Sequence, residues 1–343
     1  MNETAAYWQA DEHGAARCTL CPHGCVIQPG RCGVCGVREN RAGTLVSLNY
    51  FVASSCGMDP IEKKPLYHFF PGSRILSIGT YGCNLACKCC QNYQIAKEFS
   101  AAQLGRPNIT TAALLAELPA PGARQACCGM AYTYNEPSVW FETVREVAQA
   151  VRARGLKNVL VTNGYLCAEP LAELLEVMDA FNIDLKAFDE QVYKTHCGGK
   201  LAPVLATIEA AAARAHVELT VLIVPGVNDD DAQLRAMRDW ICGQCGPRTP
   251  VHLSRYFPMH RMTTPATPAA TLARAHALMR EKLAYVYVGN TGEEQDTHCA
   301  DCGTLVIQRR GYHTRTVGLR DDGACAKCGA RVAVAPREKQ TVN

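Results

Sequence analysis

Cysteine is the residue type through which this sequence can do chemistry. Twenty cysteines occur among 343 residues, and most fall into three groups in which only a few residues separate neighbours. Such spacing lets several thiolates from one turn converge on a metal. A disulfide framework is the alternative, but it is typical of small secreted domains. The sequence therefore predicts metal ligation at three places along the chain.

The middle group offers three thiolates on one compact loop. Cys83, Cys87 and Cys90 follow a predicted strand with CxxxCxxC spacing, and Gly82 permits a turn just before them. A four-iron cluster normally takes four cysteines, so three would leave one iron open to a small molecule. A zinc knuckle or an unligated loop is the alternative. Cys89 could replace Cys90 in a shifted register, but the spacing favours Cys90, and we assign Cys89 to packing.

The tail carries two CxxC pairs, Cys299 with Cys302 and Cys325 with Cys328, each followed by glycine. This pattern is typical of a zinc ribbon or a rubredoxin-type site, and tetrahedral thiolate sites suit zinc or iron alike. We predict structural zinc, because a metal can fold a segment too small to have its own core.

The group near the amino terminus allows two ligand sets. The pairs Cys18/Cys21 and Cys32/Cys35 would together make a tetrahedral zinc site. Cys25 lies between the pairs and offers a further thiolate. A separate pair, Cys242 and Cys245, has no visible partner, and we interpret it as structural.

These cysteines must be positioned by regular elements, and residues 71–290 alternate short β-type runs with amphipathic stretches. Strand–helix alternation predicts a parallel sheet with right-handed crossovers, and about six or seven units favour a partial (β/α)6-type TIM barrel. The predicted strands are Arg74–Tyr81, Cys128–Tyr134, Asn158–Thr162, Ala180–Leu185, Glu218–Val224, Val251–Phe257 and Ala284–Val288. The predicted helices are Pro137–Arg154, Leu201–Ala215, Pro268–Leu283 and one through Leu118 that Thr110 or Thr111 caps.

Three regions follow from this reading. Residues 1–70 form a loop-rich, cysteine-rich metal-binding region, 71–290 the α/β barrel, and 291–343 a zinc-ribbon-like tail. The net charge of +3 predicts neither nucleic acid nor a membrane as a partner. No apolar run is long enough to span a bilayer, and the first residues lack the features of a secretion signal. We expect a cytoplasmic protein.

Polar side chains follow the ends of the predicted strands, where barrels of this kind carry their chemistry. Glu136 can accept from an ammonium group, although a first-turn carboxylate on a helix is the alternative. Asp184 and Lys186 alternate to one face of a strand and can form an ion pair. His252 can either contact a ligand or have a structural role in the core. The polar side chains at these strand ends, candidates for contacting whatever the barrel binds, are Asn135, Glu136, Thr162, Asn163, Asp184, Lys186, His252 and Arg255.

The CxxxCxxC loop at the end of the first barrel strand resembles the signature of the radical S-adenosylmethionine (SAM) superfamily. The resemblance implies a [4Fe-4S] cluster on Cys83, Cys87 and Cys90, with SAM on the open iron. It also implies reductive cleavage of SAM to methionine and a 5′-deoxyadenosyl radical that abstracts hydrogen from a substrate. Cys89 stands where the superfamily often has an aromatic residue.

Further segments are similar to the pyruvate formate-lyase-activating enzymes. The residues Tyr134–Pro137 resemble a Gly-Gly-Glu-Pro-type motif that holds the SAM amino group, with Asn135 where glycine is usual. Val161–Gly164 and Asp184–Lys186 resemble two stretches that lie by SAM in that family. Val161 replaces the family's aspartate, which puts a monovalent-cation site built on that carboxylate in doubt.

The amino-terminal region resembles the AmmeMemoRadiSam-system radical SAM enzymes. The resemblance rests on Cys-x-Leu-Cys-Pro-His-x-Cys at residues 18–25, on the segment ending at Asn40 and on Asp59–Leu66. In that pattern Cys32 is incidental, and the metal is zinc or iron–sulfur. The recurring cysteines match Cys18, Cys21, Cys25 and Cys35.

These resemblances imply a radical SAM oxidoreductase that takes electrons from a donor such as flavodoxin or ferredoxin. One version activates a glycyl-radical protein, and another modifies a small molecule or peptide beside Memo-like or AMMECR-like partners. The alternative from another class is a non-catalytic metal-binding adaptor that contacts RNA or protein. That alternative draws on the tail's Arg309, Arg310, Arg315 and Arg320.

Overall fold

A computed structural model describes residues 3–104, 106–119 and 127–335. The amino-terminal region forms two small antiparallel sheets of three strands each, in the orders β1-β6-β5 and β2-β3-β4. Its strands are β1 Glu3–Thr4, β2 Trp8–Ala10, β3 Ala16–Cys18, β4 Val26–Ile27, β5 Arg38–Arg41 and β6 Thr44–Ser47.

An eight-stranded sheet forms the centre of the molecule, and its strands lie side by side in sequence order. The first strand is an antiparallel edge, and the seven that follow are parallel. Their carboxyl ends therefore meet at one edge of the sheet, where the loops carry the candidate residues. The strands are β7 Ser55–Pro60, β8 Arg74–Gly79, β9 Cys127–Tyr132, β10 Lys157–Thr162, β11 Ala180–Asp184, β12 His216–Ile223, β13 Val251–Arg255 and β14 Val286–Gly289.

Helices connect the parallel strands and bury one apolar stripe each. In the helix after β9, for example, Val144, Val147 and Val151 recur at three and four residues and are fully buried. Single helical turns of other types cover Ile61–Lys63, Ala101–Gln103, Pro137–Trp140 and Tyr193–Cys197. The α-helices are α1 Tyr93–Ala96, α2 Thr111–Glu117, α3 Phe141–Ala153, α4 Ala168–Leu175, α5 Glu190–Val192, α6 Leu201–Ala212, α7 Asp231–Gln244 and α8 Ala269–Arg280.

The tail is a three-stranded antiparallel sheet of β15 Thr297–His298, β16 Leu305–Arg310 and β17 His313–Thr316. Its Val306 and Ile307 pack with Tyr285 and Tyr287 at the last strand of the central sheet. Because this packing buries an apolar core between the two parts, the tail is fixed against the central sheet.

A buried carboxylate joins the sheet to the segment that precedes β8. Glu218 is fully buried on β12 and accepts from the amides of Tyr67 and His68 at 2.9 and 2.7 Å. His216 Nε2 and His252 Nε2 lie 3.0 and 2.7 Å from its oxygens. Burial raises the pKa of Glu218, but the hydrogen bonds and charges of His216 and His252 outweigh it and hold this pKa well below its usual range.

All seven strands predicted between residues 74 and 288 are present, with ends that differ by at most two residues. The predicted helices are confirmed too, and Thr110 caps α2 by accepting from the amide of Ala113. The sequence analysis missed α4, α7 and the short strands of the amino-terminal region. Ser55–Pro60, placed within residues 1–70, pairs with the central sheet. The predicted tail extends to 343, beyond the last described residue, 335.

Among the described residues, no helix is long and apolar enough to cross a membrane.

Candidate active site

One cavity of about 380 Å³ opens at the carboxyl ends of the parallel strands. Its volume is in the range of sites for small molecules. The cluster loop between β8 and α1 forms one wall, and the ends of β9, β10 and β11 form much of the rest, together with residues of β12, β13 and the segment 63–65. Predicted residues that line it are Cys83, Cys87, Cys90, Asn135, Glu136, Thr162, Asn163, Asp184 and Lys186, and Cys89 lines it as well.

Backbone contacts from distant segments hold the cluster loop in place. The amide of Ala86 donates to the carbonyl of Cys197 at 2.7 Å, and that of Lys88 donates to the carbonyl of His196 at 2.9 Å. Gly82 has φ +93°, and a Cβ there would lie 2.9 Å from the Cys35 carbonyl oxygen. Only glycine therefore fits at the entry to the loop.

The pKa values of the three thiols in the cluster loop shift in different directions. Burial raises the pKa of Cys83 and of Cys90 above the ordinary value. A hydrogen bond from Cys197 and the charge of Lys186 lower the pKa of Cys87 to about 7, against the effect of burial. Because a metal ligand must be a thiolate, bound iron would have to stabilise the charged form of the other two.

The space beside the three thiols has room for a group larger than one ion. In the part of the chain that the structure describes, the group whose ligand atoms all lie within 4.8 Å of one another is in the tail, and Cys83, Cys87 and Cys90 do not belong to it. An iron–sulfur cluster gives each thiolate its own iron, so its ligands need not converge on a single ion. The trio, the adjoining space and the polar lining thus fit a cluster with a small molecule beside it.

Asn135 and Glu136 connect the strand ends. Asn135 accepts from the amide of Thr80 at 3.0 Å and donates to the Gly82 carbonyl at 2.6 Å. Glu136 is buried and accepts from Thr162 Oγ1 and the amide of Asn163, both at 2.7 Å. Both residues therefore position the loops around the cavity.

Glu136 also has the alternative role considered from the sequence, that of a carboxylate at the start of a helix. Its side chain caps the helical turn Pro137–Trp140 by accepting from the amide of Ser138 at 3.0 Å. Burial raises its pKa, and the hydrogen bonds it accepts act in the opposite direction.

Asn163 contacts a predicted cluster ligand directly. Its Nδ2 lies 3.7 Å from Cys83 Sγ and donates to Asn84 Oδ1 at 2.9 Å. Its Oδ1 accepts from the amide of Tyr165 at 2.8 Å, which fixes the orientation of the amide. An N–H group aimed at a ligand sulfur is one of the features that tune an iron–sulfur cluster.

Asp184 and Lys186 form the ion pair considered from the sequence, and both face the cavity. Lys186 Nζ lies 2.9 Å from Asp184 Oδ2. Burial lowers the pKa of Lys186, but the charges of Asp184 and Cys87 outweigh it and raise the pKa well above the usual range. The cavity therefore presents a fixed positive and a fixed negative charge side by side.

His252 and Arg255 do not line this cavity. His252 is buried, with its Nε2 2.7 Å from Glu218 Oε2. Arg255 Nε donates to the Thr267 carbonyl at 2.9 Å, and its guanidinium lies 5.0 Å from the Phe257 ring centre. His252 therefore has the structural role in the core, one of the two roles that the sequence left open.

The sequence analysis did not predict a cluster of charged side chains at the cavity. Lys64 is 3 % exposed and lies 2.9 Å from Asp59 Oδ2, and Tyr134 donates to the same oxygen at 2.9 Å. Burial opposes this arrangement, but Lys64, Tyr134 and Lys63 together lower the pKa of Asp59 to about 2. The Lys-Lys-Pro run at residues 63–65 was the available signal.

The tail quartet has a different geometry. Its four sulfurs all lie within 4.8 Å of one another, with 3.7 Å between Cys299 and Cys328 and between Cys302 and Cys325. Four sulfurs bound to one zinc at about 2.3 Å would be separated by about 3.8 Å. The quartet thus has the dimensions of a single tetrahedral ion.

In the amino-terminal region, Cys18, Cys21, Cys25 and Cys35 line one small cavity. Cys32 is exposed and does not line it. The four cysteines that line the cavity are the ligand set implied by the family resemblance. The alternative set, made of the pairs Cys18/Cys21 and Cys32/Cys35, would need Cys32 in place of Cys25.

Comparison with known proteins identifies the family. Residues 77–237 match the model of the Radical SAM superfamily. An uncharacterized protein of Methanocaldococcus jannaschii is 36 % identical over 97 % of this chain and 99 % of its own length. The chain belongs to the radical SAM superfamily. This family implies a [4Fe-4S] cluster and SAM as cofactors, and the trio of the cluster loop lies within the matched residues.

Two other similarities of this radical SAM protein are more limited. The benzylsuccinate synthase activating enzyme of Thauera aromatica is 28 % identical over 33 % of this chain and 35 % of its own. The crystal structure of a radical SAM methyltransferase from Sphaerobacter thermophilus has a TM-score of 0.51 and 15 % identity, over 69 % of this chain and 71 % of that one. The latter supports the fold alone.

Proposed function

We propose that this radical SAM enzyme binds a [4Fe-4S] cluster through Cys83, Cys87 and Cys90 and cleaves SAM reductively. The bound cluster would supply one electron, which yields methionine and a 5′-deoxyadenosyl radical that abstracts hydrogen from a substrate. The observation that carries the proposal is the shared cavity. The three cysteines and the polar residues from three strand ends line the same space of about 380 Å³.

The contacts of the remaining cavity residues support a proposed role for each of them. Asn135 fixes the entry to the cluster loop, and Glu136 ties the second and third parallel strands to each other. Asp184 and Lys186 lie 2.9 Å apart and face the cavity, so they can exchange partners with the amino and carboxylate groups of SAM. Thr162 and Asn163 complete the proposed set, and His252 and Arg255 support the barrel wall instead.

The test is anaerobic reconstitution with iron and sulfide, followed by addition of SAM and a reductant. We expect 5′-deoxyadenosine from the native chain and none from Cys87→Ala. The matched control is Cys242→Ser, which alters a thiol distant in sequence from the cluster loop and should leave the product unchanged. Native protein that assembles a cluster but yields no 5′-deoxyadenosine would contradict the proposal.

For the substrate, we propose a glycyl-radical protein. The similarity to an activating enzyme supports this choice, although it covers about a third of each chain. The alternative is a small molecule or peptide, modified beside Memo-like or AMMECR-like partners as in the AmmeMemoRadiSam system. Electron paramagnetic resonance (EPR) of the enzyme with SAM and candidate partner proteins distinguishes them. A glycyl radical supports activation, and its absence with all such partners favours the alternative.

The proposal also covers the organisation of the chain. We propose a cysteine-rich region over 1–70, a partial barrel over 71–290 and a zinc-ribbon-like tail over 291–343, with zinc on Cys299, Cys302, Cys325 and Cys328. The tight sulfur spacing supports zinc or iron in the tail. A cytoplasmic location and reduction by flavodoxin or ferredoxin belong to the same proposal. The location is supported by cysteine use that suits metals rather than disulfides, and the electron donor by the family to which the chain belongs.

A further inference from the structure

The bottom of the active-site cavity is a segment that lies across the inner face of the central sheet. We call it the floor segment, residues 63–65, and Lys63, Lys64 and Pro65 line the cavity together with the cluster loop. Asn182 donates through Nδ2 to the Pro65 carbonyl at 2.8 Å. Because Asn182 precedes Asp184 by two residues on β11, the floor segment lies at a level about 7 Å below the strand ends that carry the proposed SAM contacts.

Lys64 places a buried ammonium group at this floor. Its side chain is 3 % exposed, and its Nζ lies 2.9 Å from Asp59 Oδ2. An ammonium group has three N–H donors. Among the residues that the structure describes, Asp59 is the one hydrogen-bonding partner of Lys64 Nζ, and the Tyr134 ring centre lies 4.5 Å from it. The Tyr134 ring occupies a second donor at most, so a donor of this buried group remains for a ligand.

The Asp59 carboxylate is shared with other donors. Its Oδ1 accepts from Lys63 Nζ at 3.1 Å, and its Oδ2 accepts from the Tyr134 hydroxyl at 2.9 Å. Tyr134 has φ +75°, in the left-handed region that residues other than glycine rarely adopt. Such strain concentrates at functional sites, where the surrounding contacts hold it. Lys64 therefore receives only part of the charge of this carboxylate.

The floor segment has more positive than negative charge around it. Lys63 and Lys64 share the one carboxylate of Asp59. Burial lowers the pKa of Lys64; Asp59 opposes the change without restoring the usual value, and Lys63 adds to it. The charged form of Lys64 is thus incompletely compensated, and an incoming anion would stabilise it.

The carboxylates at the strand ends do not supply that anion. Asp184 is paired with Lys186. Glu136 is buried and accepts from Thr162 Oγ1 and from the amide of Asn163. Each of the two carboxylates is therefore occupied by donors of its own. The floor thus has a place for an anion that the described residues of the cavity do not provide.

We propose that the floor binds an oxyanion of the substrate, either a carboxylate or a phosphate, and that Lys64 is the residue that selects it. That the bound molecule is the substrate rests on the function proposed above. SAM would occupy the strand ends, beside the cluster loop. An anion on Lys64 would therefore hold the substrate between the floor and the place where the 5′-deoxyadenosyl radical forms, and no bond of the anion is made or broken.

The first test measures anion binding without turnover. The reconstituted protein is saturated with SAM and kept oxidised, so that SAM is not cleaved, and it is titrated calorimetrically with inorganic phosphate, acetate and a capped aspartyl peptide. We expect at least one probe to bind. Lys64→Met should weaken that binding at least tenfold, since a charge-assisted hydrogen bond is lost, and Lys64→Arg should restore part of it. Native protein that binds none of the probes would overturn the proposal.

The three probes also distinguish the origin of the anion. Tighter binding of phosphate or acetate assigns it to a small molecule, and tighter binding of the peptide assigns it to an acidic side chain of a partner protein; both results support the floor site. The matched control is Lys282→Met, which breaks an exposed pair with Asp239 and should leave the affinity unchanged. An equal loss of affinity in this control would contradict a local site.

Substitution of the partner carboxylate should change the affinity in the opposite direction. Asp59→Asn leaves both lysines without their carboxylate, so the probe should bind about tenfold more tightly than to the native chain. A purely structural pair predicts lower stability in Lys64→Met and in Asp59→Asn, with no gain of affinity in either. Weaker binding by folded Asp59→Asn would therefore overturn the proposal.

A double variant keeps this test valid where a single variant does not fold. Lys64→Met combined with Asp59→Asn leaves no unpaired buried charge at the floor, and it should bind the probe at least tenfold more weakly than the native chain. Iron content and thermal unfolding show that the variant is folded. Native affinity in the double variant would contradict the role of Lys64.

The proposed function is tested separately. A tenfold loss of SAM affinity in Lys64→Met, with unchanged affinity for the probes, would assign the ammonium group to the cofactor and overturn the anion site. Native protein that binds a probe through Lys64, yet yields no 5′-deoxyadenosine on reduction, would contradict the proposed function and support the anion site alone.

Discussion

The tail quartet and the trio of the cluster loop use the same kind of short cysteine spacing, yet the structure surrounds them differently. The tail sulfurs lie within 4.8 Å of one another. The loop cysteines line a cavity of about 380 Å³ together with polar residues from three strand ends. The comparison shows that a motif supplies ligands, while the surroundings decide whether they close around an ion or leave room for a second molecule.

The two regions also differ in what holds them. The tail sulfurs sit on turns of a small antiparallel sheet whose Val306 and Ile307 are fully buried. The cluster loop instead depends on distant segments, such as the Cys197 carbonyl that accepts from Ala86. Metal should therefore matter most for folding in the tail and most for chemistry in the loop.

The largest expected effect breaks the tail site. Replacing Cys302 and Cys325 by serine should remove the proposed zinc, and structural zinc contributes on the order of 10 kcal/mol to the folding of small domains. We expect loss of one zinc per chain and rapid hydrogen exchange in β16, measured by metal analysis and mass spectrometry. Iron content should stay at the native value. A parallel loss of iron would show that the two regions are not independent.

A smaller effect tests the buried network on the central sheet. Glu218→Gln leaves His216 and His252 without their carboxylate partner, so we expect the free energy of unfolding to fall by about 3 kcal/mol. Glu176→Gln, which breaks the exposed pair with Arg214, should cost less than about 1 kcal/mol. Chemical denaturation measures both, and equal costs would contradict the role given to the buried network.

The same carboxylate predicts a pH dependence with a definite sign. The pKa of Glu218 is held well below its usual value in the folded protein. Its contribution to stability is therefore fully present above the unfolded value of about 4.3 and is lost as the pH falls through the folded pKa. The native chain should lose stability on acidification below pH ~4 more steeply than Glu218→Gln, measured by thermal unfolding.

The smallest expected effect concerns the contact between Asn163 and the cluster loop. Asn163→Ala removes the N–H group 3.7 Å from Cys83 Sγ. A hydrogen bond contributes about 1 kcal/mol, which equals about 40 mV for one electron. We expect the reduction potential of the loop cluster to fall by that amount in an EPR-monitored redox titration. Asn108→Ala, whose side chain contacts Ala53, is the control, and an equal shift there would contradict a local effect.

Much of this arrangement could be predicted from the sequence, because strand order follows chain order. Residues at successive strand ends then fall at one edge of the sheet, as Glu136, Asn163 and Asp184 do. Local spacing also sufficed for the ion pair of Asp184 with Lys186, since the two alternate on one face.

Other contacts could not be predicted, because they join residues that are far apart in the sequence. His252 is paired with Glu218, which lies on the neighbouring strand 34 residues away. Tyr134 reaches Asp59 across 75 residues, so the charged group around Lys64 depends on register between strands. The choice between Cys25 and Cys32 depends on how the small sheets fold, and spacing alone left both open.

The most direct test of the central claim is the EPR spectrum of the dithionite-reduced native protein, recorded without and with SAM. If Cys83, Cys87 and Cys90 leave one iron open for this cofactor, SAM must change the g-values of the loop cluster. The change should be absent when Cys83, Cys87 and Cys90 are replaced together by alanine. A spectrum of the native protein that stays the same when saturating SAM is added would contradict the account.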